Sequence, residues 1–197
     1  TPQSAFDSMG VLAANGYELG TLPADSAALI AALRAGPTNA GWQGRDSHVT
    51  LSVADYETAF AELPDQVRTD VTARWGAALA DPMFDGAAFR LPILTFGNVA
   101  VGVQPARGYN IDPKATYHAP DLVPPHNYFA FYFWLRQQWG VDALVHFGKH
   151  GNLEWLPGKA LALSPAYYPE AILGPVPHFY PFIVNDPGEG AQAKRRT

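Results

Sequence analysis

The run His146-Phe-Gly-Lys-His150-Gly-Asn-Leu-Glu154 spaces two imidazoles and a carboxylate four residues apart. On a helix that spacing aligns all three on one face. Gly148 and Gly151 argue instead for a tight turn, in which the three groups can still meet. His146, His150 and Glu154 are then a competent ligand set for a borderline divalent ion such as Co2+ or Zn2+. Histidine pairs are more often hydrogen-bonding residues of a polar pocket, and His146 fits a strand histidine bonded to backbone. Glu154 is the strongest functional candidate, because burial beside Trp155 would raise its pKa.

Two further groups of chemically able residues stand near it in type. Gln104, Arg107, Tyr109 and Asp112 follow one apolar run, and Asn185, Asp186, Glu189, Lys194 and Arg195 follow another. Arg107, Lys149, Lys159, Arg195 and Arg196 suit an edge that receives carboxylates or phosphates. Lys114 and Arg136 read as solvated surface charge. The aromatic stripe Tyr128, Phe129, Phe131, Tyr132, Phe133 and Trp134 reads first as core, and any exposed part of it would suit a flat macrocycle.

The elements that must position these groups fall into two segments. Residues 1–90 read as mainly helical. One helix around Phe6 to Ala14 stops at Asn15-Gly16, and Asp25 or Ser26 caps a second that Gly36-Pro37 ends. Ser52 caps a third over Val53 to Leu63, and Pro64 opens a fourth that runs through Trp75 to Gly76. Residues 91–197 read as an α/β segment. Val99 to Val103, Val141 to Phe147 and Tyr180 to Val184 are its strands, and His126 to Trp139 is a long aromatic helix. A further helix opens at Asp186-Pro187. Each reactive cluster follows one of the three strands. If those strands are parallel, all three clusters converge on the carboxyl edge of one sheet, where open α/β folds bind ligands.

Composition narrows the classes. The chain has 197 residues, 48% of them hydrophobic, enough for a packed core. No apolar run reaches the roughly 18–20 residues that cross a bilayer. The absence of cysteine removes disulfides, thiolate metal sites and a cysteine nucleophile, and fits a cytoplasmic protein. Residues 1–90 set five arginines against eleven carboxylates, whereas residues 91–197 carry eight cations, seven carboxylates and five of the six histidines. No basic patch of the kind that grips nucleic acid is present. There is no G-x-x-x-x-G-K-[ST] phosphate loop, no G-x-S-x-G and no H-E-x-x-H. The start at Thr1-Pro2 and the finish at Lys194-Arg195-Arg196-Thr197 read as an excerpt of a longer, multidomain subunit.

Three blocks, in order, carry a resemblance. They are Val103-Gln-Pro-Ala-Arg107-Gly-Tyr109, His146 through Trp155-Leu-Pro-Gly-Lys159, and Tyr180-Pro-Phe-Ile-Val-Asn-Asp-Pro-Gly-Glu-Gly-Ala-Gln-Ala-Lys-Arg-Arg196. They resemble the large subunits of the metal chelatases that work on tetrapyrroles, the family that joins the CobN type to the large, H-type component of magnesium chelatase. The likeness covers nearly the whole chain and is weakest before Leu51. Lys149, Asn152, Trp155 and Leu156 stand where the magnesium subunits differ, which favours the cobalt type.

The resemblance implies ATP-driven insertion of Co2+ into hydrogenobyrinic acid a,c-diamide in cobalamin biosynthesis. ATP hydrolysis would belong to AAA+ partner subunits of the CobS and CobT type, in keeping with the missing phosphate loop. Glu154 and His150 would deliver the ion or take the two pyrrole-type protons. Arg107, Lys159 and Arg195 would hold peripheral carboxylates of the ring, with Tyr109, Glu189 and Lys194 completing the substrate contacts. Magnesium insertion into protoporphyrin IX, a non-catalytic tetrapyrrole-binding module, and a metal-dependent hydrolase built on His146, His150 and Glu154 are the competing readings.

Overall fold

The structure, a computed structural model, describes residues 2–108, 119, 121–148, 155–158 and 164–181. Helices α1 (Pro2–Ala14) and α2 (Ser26–Ala35) pair through a small core of Met9, Leu19, Leu29 and Leu33. The Asp25 carboxylate accepts from the Ala28 backbone N–H at 2.7 Å and caps α2, and Gly36 ends it. Ser52 does the same for α3 (Val53–Ala61): its hydroxyl accepts from the Asp55 N–H at 3.1 Å. Helix α4 (Asp65–Trp75) ends at Gly76. These four helices and their signals are those the sequence predicts.

Two short antiparallel ladders join them. Strand β1 (Thr50–Ser52) pairs with β2 (Ala88–Arg90), and β3 (Ile93–Phe96) pairs with β4 (Val99–Gly102). The hairpin β3–β4 reverses over Gly97-Asn98, with Gly97 at a φ of 53°. A Cβ there would collide with the Glu18 carbonyl oxygen, so only glycine fits. One face of the hairpin rests on the α1–α2 core through Leu94, Phe96, Val99 and Val101.

The larger core surrounds α5 (His126–Phe133), all eight of whose residues are buried. A helix apolar all round must be central, and each of its fully buried Phe side chains contributes about 1.5–3 kcal/mol. It continues as a π-helical stretch, Trp134–Trp139, in which Trp134 and Trp139 stack with centroids 5.3 Å apart. The aromatic stripe is therefore core, and α5 offers no open face to a macrocycle.

Strand β5 (Leu144–Val145), helix α6 (Tyr168–Leu173) and strand β6 (His178–Phe179) form the strand–helix–strand unit, with β5 and β6 parallel. The α/β class stands, but the sheet differs from the expected one. Val99–Gly102 lies in an antiparallel hairpin rather than beside β5, because Ile93–Phe96 supplies it with a closer partner. The third strand is His178–Phe179, just ahead of the predicted Tyr180 to Val184; Tyr180 and Pro181 are not strand, and 182–184 lie outside the described residues. The helix expected from Asp186 lies outside the described residues. Among the described residues, no helix is long and apolar enough to cross a membrane.

Candidate functional site

The loop after β4 is the first wall of the site. Asn39 clamps it from a distant loop: its amide oxygen accepts from the Ala106 N–H at 3.0 Å and its amide nitrogen donates to the Gln104 carbonyl at 3.1 Å. This fixes the backbone between Gln104 and Arg107. Arg107 is only 3% exposed. Its Nη1 donates to the Ala119 carbonyl at 2.9 Å and to the Trp155 carbonyl at 2.5 Å. The guanidinium therefore joins the end of the hairpin to the segment Trp155–Gly158. Both bonds are made by Nη1, one of the guanidinium's three nitrogens.

His146 follows β5 at the carboxyl end of the parallel pair. Its backbone N–H donates to the Phe179 carbonyl at 2.8 Å, which extends the ladder by one bond. Its ring lies between two partners: Nε2 is 3.1 Å from the Tyr132 hydroxyl, and Nδ1 is 3.1 Å from His178 Nε2. Its N–H thus makes the backbone bond expected of a strand histidine, while its ring bonds two side chains. The Tyr132 oxygen also accepts from Gln104 Nε2 at 2.8 Å, and the same amide reaches the Tyr128 hydroxyl at 3.2 Å. Burial, and after it the charge of His178, push the His146 imidazolium pKa down to about 3. The ring is neutral at pH 7 and available as a donor to a proton or a cation.

A polar chain consequently runs Gln104–Tyr132–His146–His178. It links the loop after β4, helix α5 and both strands of the parallel pair. Trp155–Gly158 packs against the start of α6, with Leu156 1% exposed and the Pro157 carbonyl accepting from the Tyr168 N–H at 3.2 Å. Gly158 has a φ of 85°, and a Cβ on it would run into the Tyr167 ring. A cleft of about 240 Å³ lies beside α2, and one of about 310 Å³ beside the Asn39–Ala106 contact, with Met83 in its lining.

Of the predicted site residues, the structure describes Arg107 and His146. Glu154, His150, Tyr109, Lys159, Glu189, Lys194 and Arg195 lie outside the described residues. Among the described residues, no three His, Asp or Glu side chains gather as a metal-binding group. Sequence reasoning missed His178, Tyr132 as a polar partner, and Asn39. Only His178 left a signal, an imidazole two residues before the Tyr180-Pro-Phe block. Arg136 is a correction: it is not solvated surface charge. Its Nη1 donates to the Ala171 and Ile172 carbonyls at 3.2 and 3.0 Å, at the carboxyl end of α6 where a cation is favoured.

Comparison with known proteins supplies what the geometry alone does not. The profile of the family CobN/Magnesium Chelatase matches residues 1–197, the entire chain. The chain belongs to the CobN/magnesium chelatase family. Within this family it is 61% identical, over 197 residues, to the aerobic cobaltochelatase subunit CobN of a Sinorhizobium species. It is 33% identical over 195 residues to the H-type subunit of magnesium chelatase from Rhodobacter capsulatus. Among solved structures, the catalytic subunit of cobaltochelatase from Mycobacterium tuberculosis superposes with a TM-score of 0.83 at 42% identity and covers 100% of the chain. The chain spans 16% of the length of those two curated relatives and 17% of the solved one.

Proposed function

We propose that this chain is part of the tetrapyrrole- and metal-binding large subunit of an aerobic, ATP-dependent cobaltochelatase. It inserts Co2+ into hydrogenobyrinic acid a,c-diamide, in the cytoplasm, with ATP hydrolysed by AAA+ subunits of the CobS and CobT type. The observation that carries this reading is its much higher identity to the CobN relatives than to the magnesium chelatase ones, along the whole chain.

Metal insertion asks the protein for three things: a loosely held ion, a base for two ring N–H protons, and a grip on the ring. Glu154 and His150 serve as carriers of the ion and acceptors of the protons, with His146 beside them in sequence as a third donor. Lys159, Lys194 and Arg195 hold ring carboxylates, while Tyr109 and Glu189 meet its hydrogen-bonding groups. Arg107 belongs to the same end of the chain as a positioning residue, since its bonds to Ala119 and Trp155 hold the backbone immediately after Glu154. A neutral His146 supports the reading, because a protonated ring would repel the ion it has to accept.

The test is an absorbance titration of the full-length subunit with hydrogenobyrinic acid a,c-diamide and with protoporphyrin IX, before metal or ATP is added. Saturable binding of the corrin precursor is the expected result. A preference for protoporphyrin IX moves the protein to the magnesium branch, and binding of neither ring overturns the chelatase reading.

A further inference from the structure

We propose that His146 and His178 form a two-imidazole site for a divalent transition-metal ion, with Nδ1 of the first and Nε2 of the second as its ligands. The proposal deepens the chelatase reading and rests on it for the identity of the ion as Co2+.

The geometry of the pair carries the argument. The two nitrogens are 3.1 Å apart. Two imidazole nitrogens about 2.1 Å from one ion, at angles between a right angle and the tetrahedral angle, stand about 3.0–3.4 Å apart. That distance also fits an N–H···N hydrogen bond, and the rings show how far from straight the contact is. An imidazole nitrogen lies about 1.15 Å from its ring centroid, so a straight N–H···N bond of this length puts the centroids about 5.4 Å apart. Lone pairs converging on a common ion about 2.1 Å away put them about 4.8 Å apart by similar triangles. The centroids are 4.6 Å apart, with the rings at 76° to each other. The nitrogens therefore do not meet head-on, and the bend between the rings is the one that lets both lone pairs reach a common ion.

The surroundings suit that use. A ligating histidine donates its second ring N–H to an outer partner, which fixes the tautomer. Here Nε2 of His146 faces the Tyr132 hydroxyl oxygen at 3.1 Å, and that oxygen is itself held by Gln104. With the proton on Nε2, the Nδ1 lone pair is left for the ion. The strands fix the approach: His178 sits in β6 opposite Leu144, and the backbone bond from His146 to Phe179 sets the two side chains in step.

Two nitrogen donors select an ion by its softness. Imidazole suits Co2+, Ni2+ and Zn2+, whereas Mg2+ prefers oxygen. Among the described residues these two are the protein's donors, and the remaining coordination positions serve His150 or Glu154, water and an incoming ring nitrogen. A substrate ion must be released, and a site of this kind holds it without closing around it.

The experiment titrates the full-length subunit with Co2+ alone, without ring or ATP, following the visible d–d bands and counting imidazole ligands by X-ray absorption. The variant is His178→Phe, which keeps a ring against His146. The expected result is saturable Co2+ binding in the wild type, unaffected by excess Mg2+. In the variant, affinity falls at least about tenfold and the ligand count drops by one imidazole. An unchanged titration and ligand count in the variant overturn the site, as does a wild type without imidazole-ligated Co2+. Absorbance titration with the corrin precursor is run in parallel. Ring binding retained by the variant shows that it is folded. Should the variant fail to fold, His178→Asn, which keeps a polar side chain beside His146, takes its place and is read in the same way. A wild type that binds Co2+ through His178 but no tetrapyrrole supports the site while overturning the chelatase reading.

Discussion

Arg107 reaches the Trp155 carbonyl with Nη1 at 2.5 Å, bridging 48 positions of sequence from almost complete burial. The same nitrogen takes the Ala119 carbonyl, so one guanidinium fixes three stretches of backbone. Arg107→Met leaves those carbonyls without their donor and is expected to cost about 2–3 kcal/mol, read from urea unfolding. Arg107→Lys restores less than half of that, because a single ammonium lacks the planar fork. In the full-length subunit, Arg107→Lys lowers kcat for chelation while the affinity for the ring stays within about twofold. A loss confined to ring affinity would return Arg107 to the role of a carboxylate grip.

Glu154 stands one residue before Trp155, whose carbonyl Arg107 holds. Replacing it by Gln keeps the shape and removes the charge that attracts an ion or accepts a proton. Chelation in the full-length subunit is expected to fall by about 10²–10⁴-fold, the usual worth of a general base. Ring binding, measured by absorbance, is expected to remain. Turnover at the wild-type rate would remove Glu154 from the mechanism.

What could be read in advance follows from the range of the interactions. Asp25, Ser52, Gly36 and Gly76 act on backbone within four residues of themselves, so their helices were legible. The run His126 to Trp139 is so aromatic that burial was its only use. Ile93–Phe96 escaped because four residues between Pro92 and Gly97, three of them apolar, have no decisive period. Arg136 misled for a related reason: its environment is set by the carboxyl end of α6, whose last turn lies 35 residues further on. The candidate site divides the same way. The glycine-flanked cluster around His150 is local and visible, whereas the Gln104–Tyr132–His146–His178 chain exists only through the packing of α5 against the parallel pair.

His126 joins three helices and makes stability depend on pH. Its Nε2–H donates to the Gly76 carbonyl at 3.0 Å, so its Nδ1 must accept from the Tyr56 hydroxyl at 2.6 Å. Burial holds its pKa below the ordinary 6.5, against the opposing pull of the Gly76 carbonyl and the Asp81 charge. The folded chain therefore binds fewer protons than the unfolded chain just below pH 6.5, and stability falls as pH drops through that range. One such group contributes at most about 1.4 kcal/mol per pH unit. Urea midpoints between about pH 7.5 and 5.5 should decline, and His126→Phe should shrink that decline while lowering the midpoint at the upper end. His146 adds a slope of the same sign to both proteins, so the difference between them isolates His126. An unaltered decline in the variant would place the pH dependence elsewhere.

Gly158 shows how the turn after Trp155 is held. Its φ of 85° costs an L-residue strain, and the Tyr167 ring occupies the space a Cβ would need. Gly158→Ala must therefore move either the turn or the ring. Moving the ring pulls on Tyr168, whose N–H bonds to the Pro157 carbonyl at the start of α6. Moving the turn displaces Leu156 from the core and shifts the Trp155 carbonyl off Arg107. A loss of about 2–4 kcal/mol is expected by urea unfolding, from overpacking and backbone strain together. If the Tyr167 ring is the obstacle, Tyr167→Ala should recover part of it, because only the φ penalty and the 2.7 Å approach of the Tyr167 Cβ then remain. A double variant no more stable than Gly158→Ala alone would show that the backbone angle, rather than the ring, forbids a side chain here.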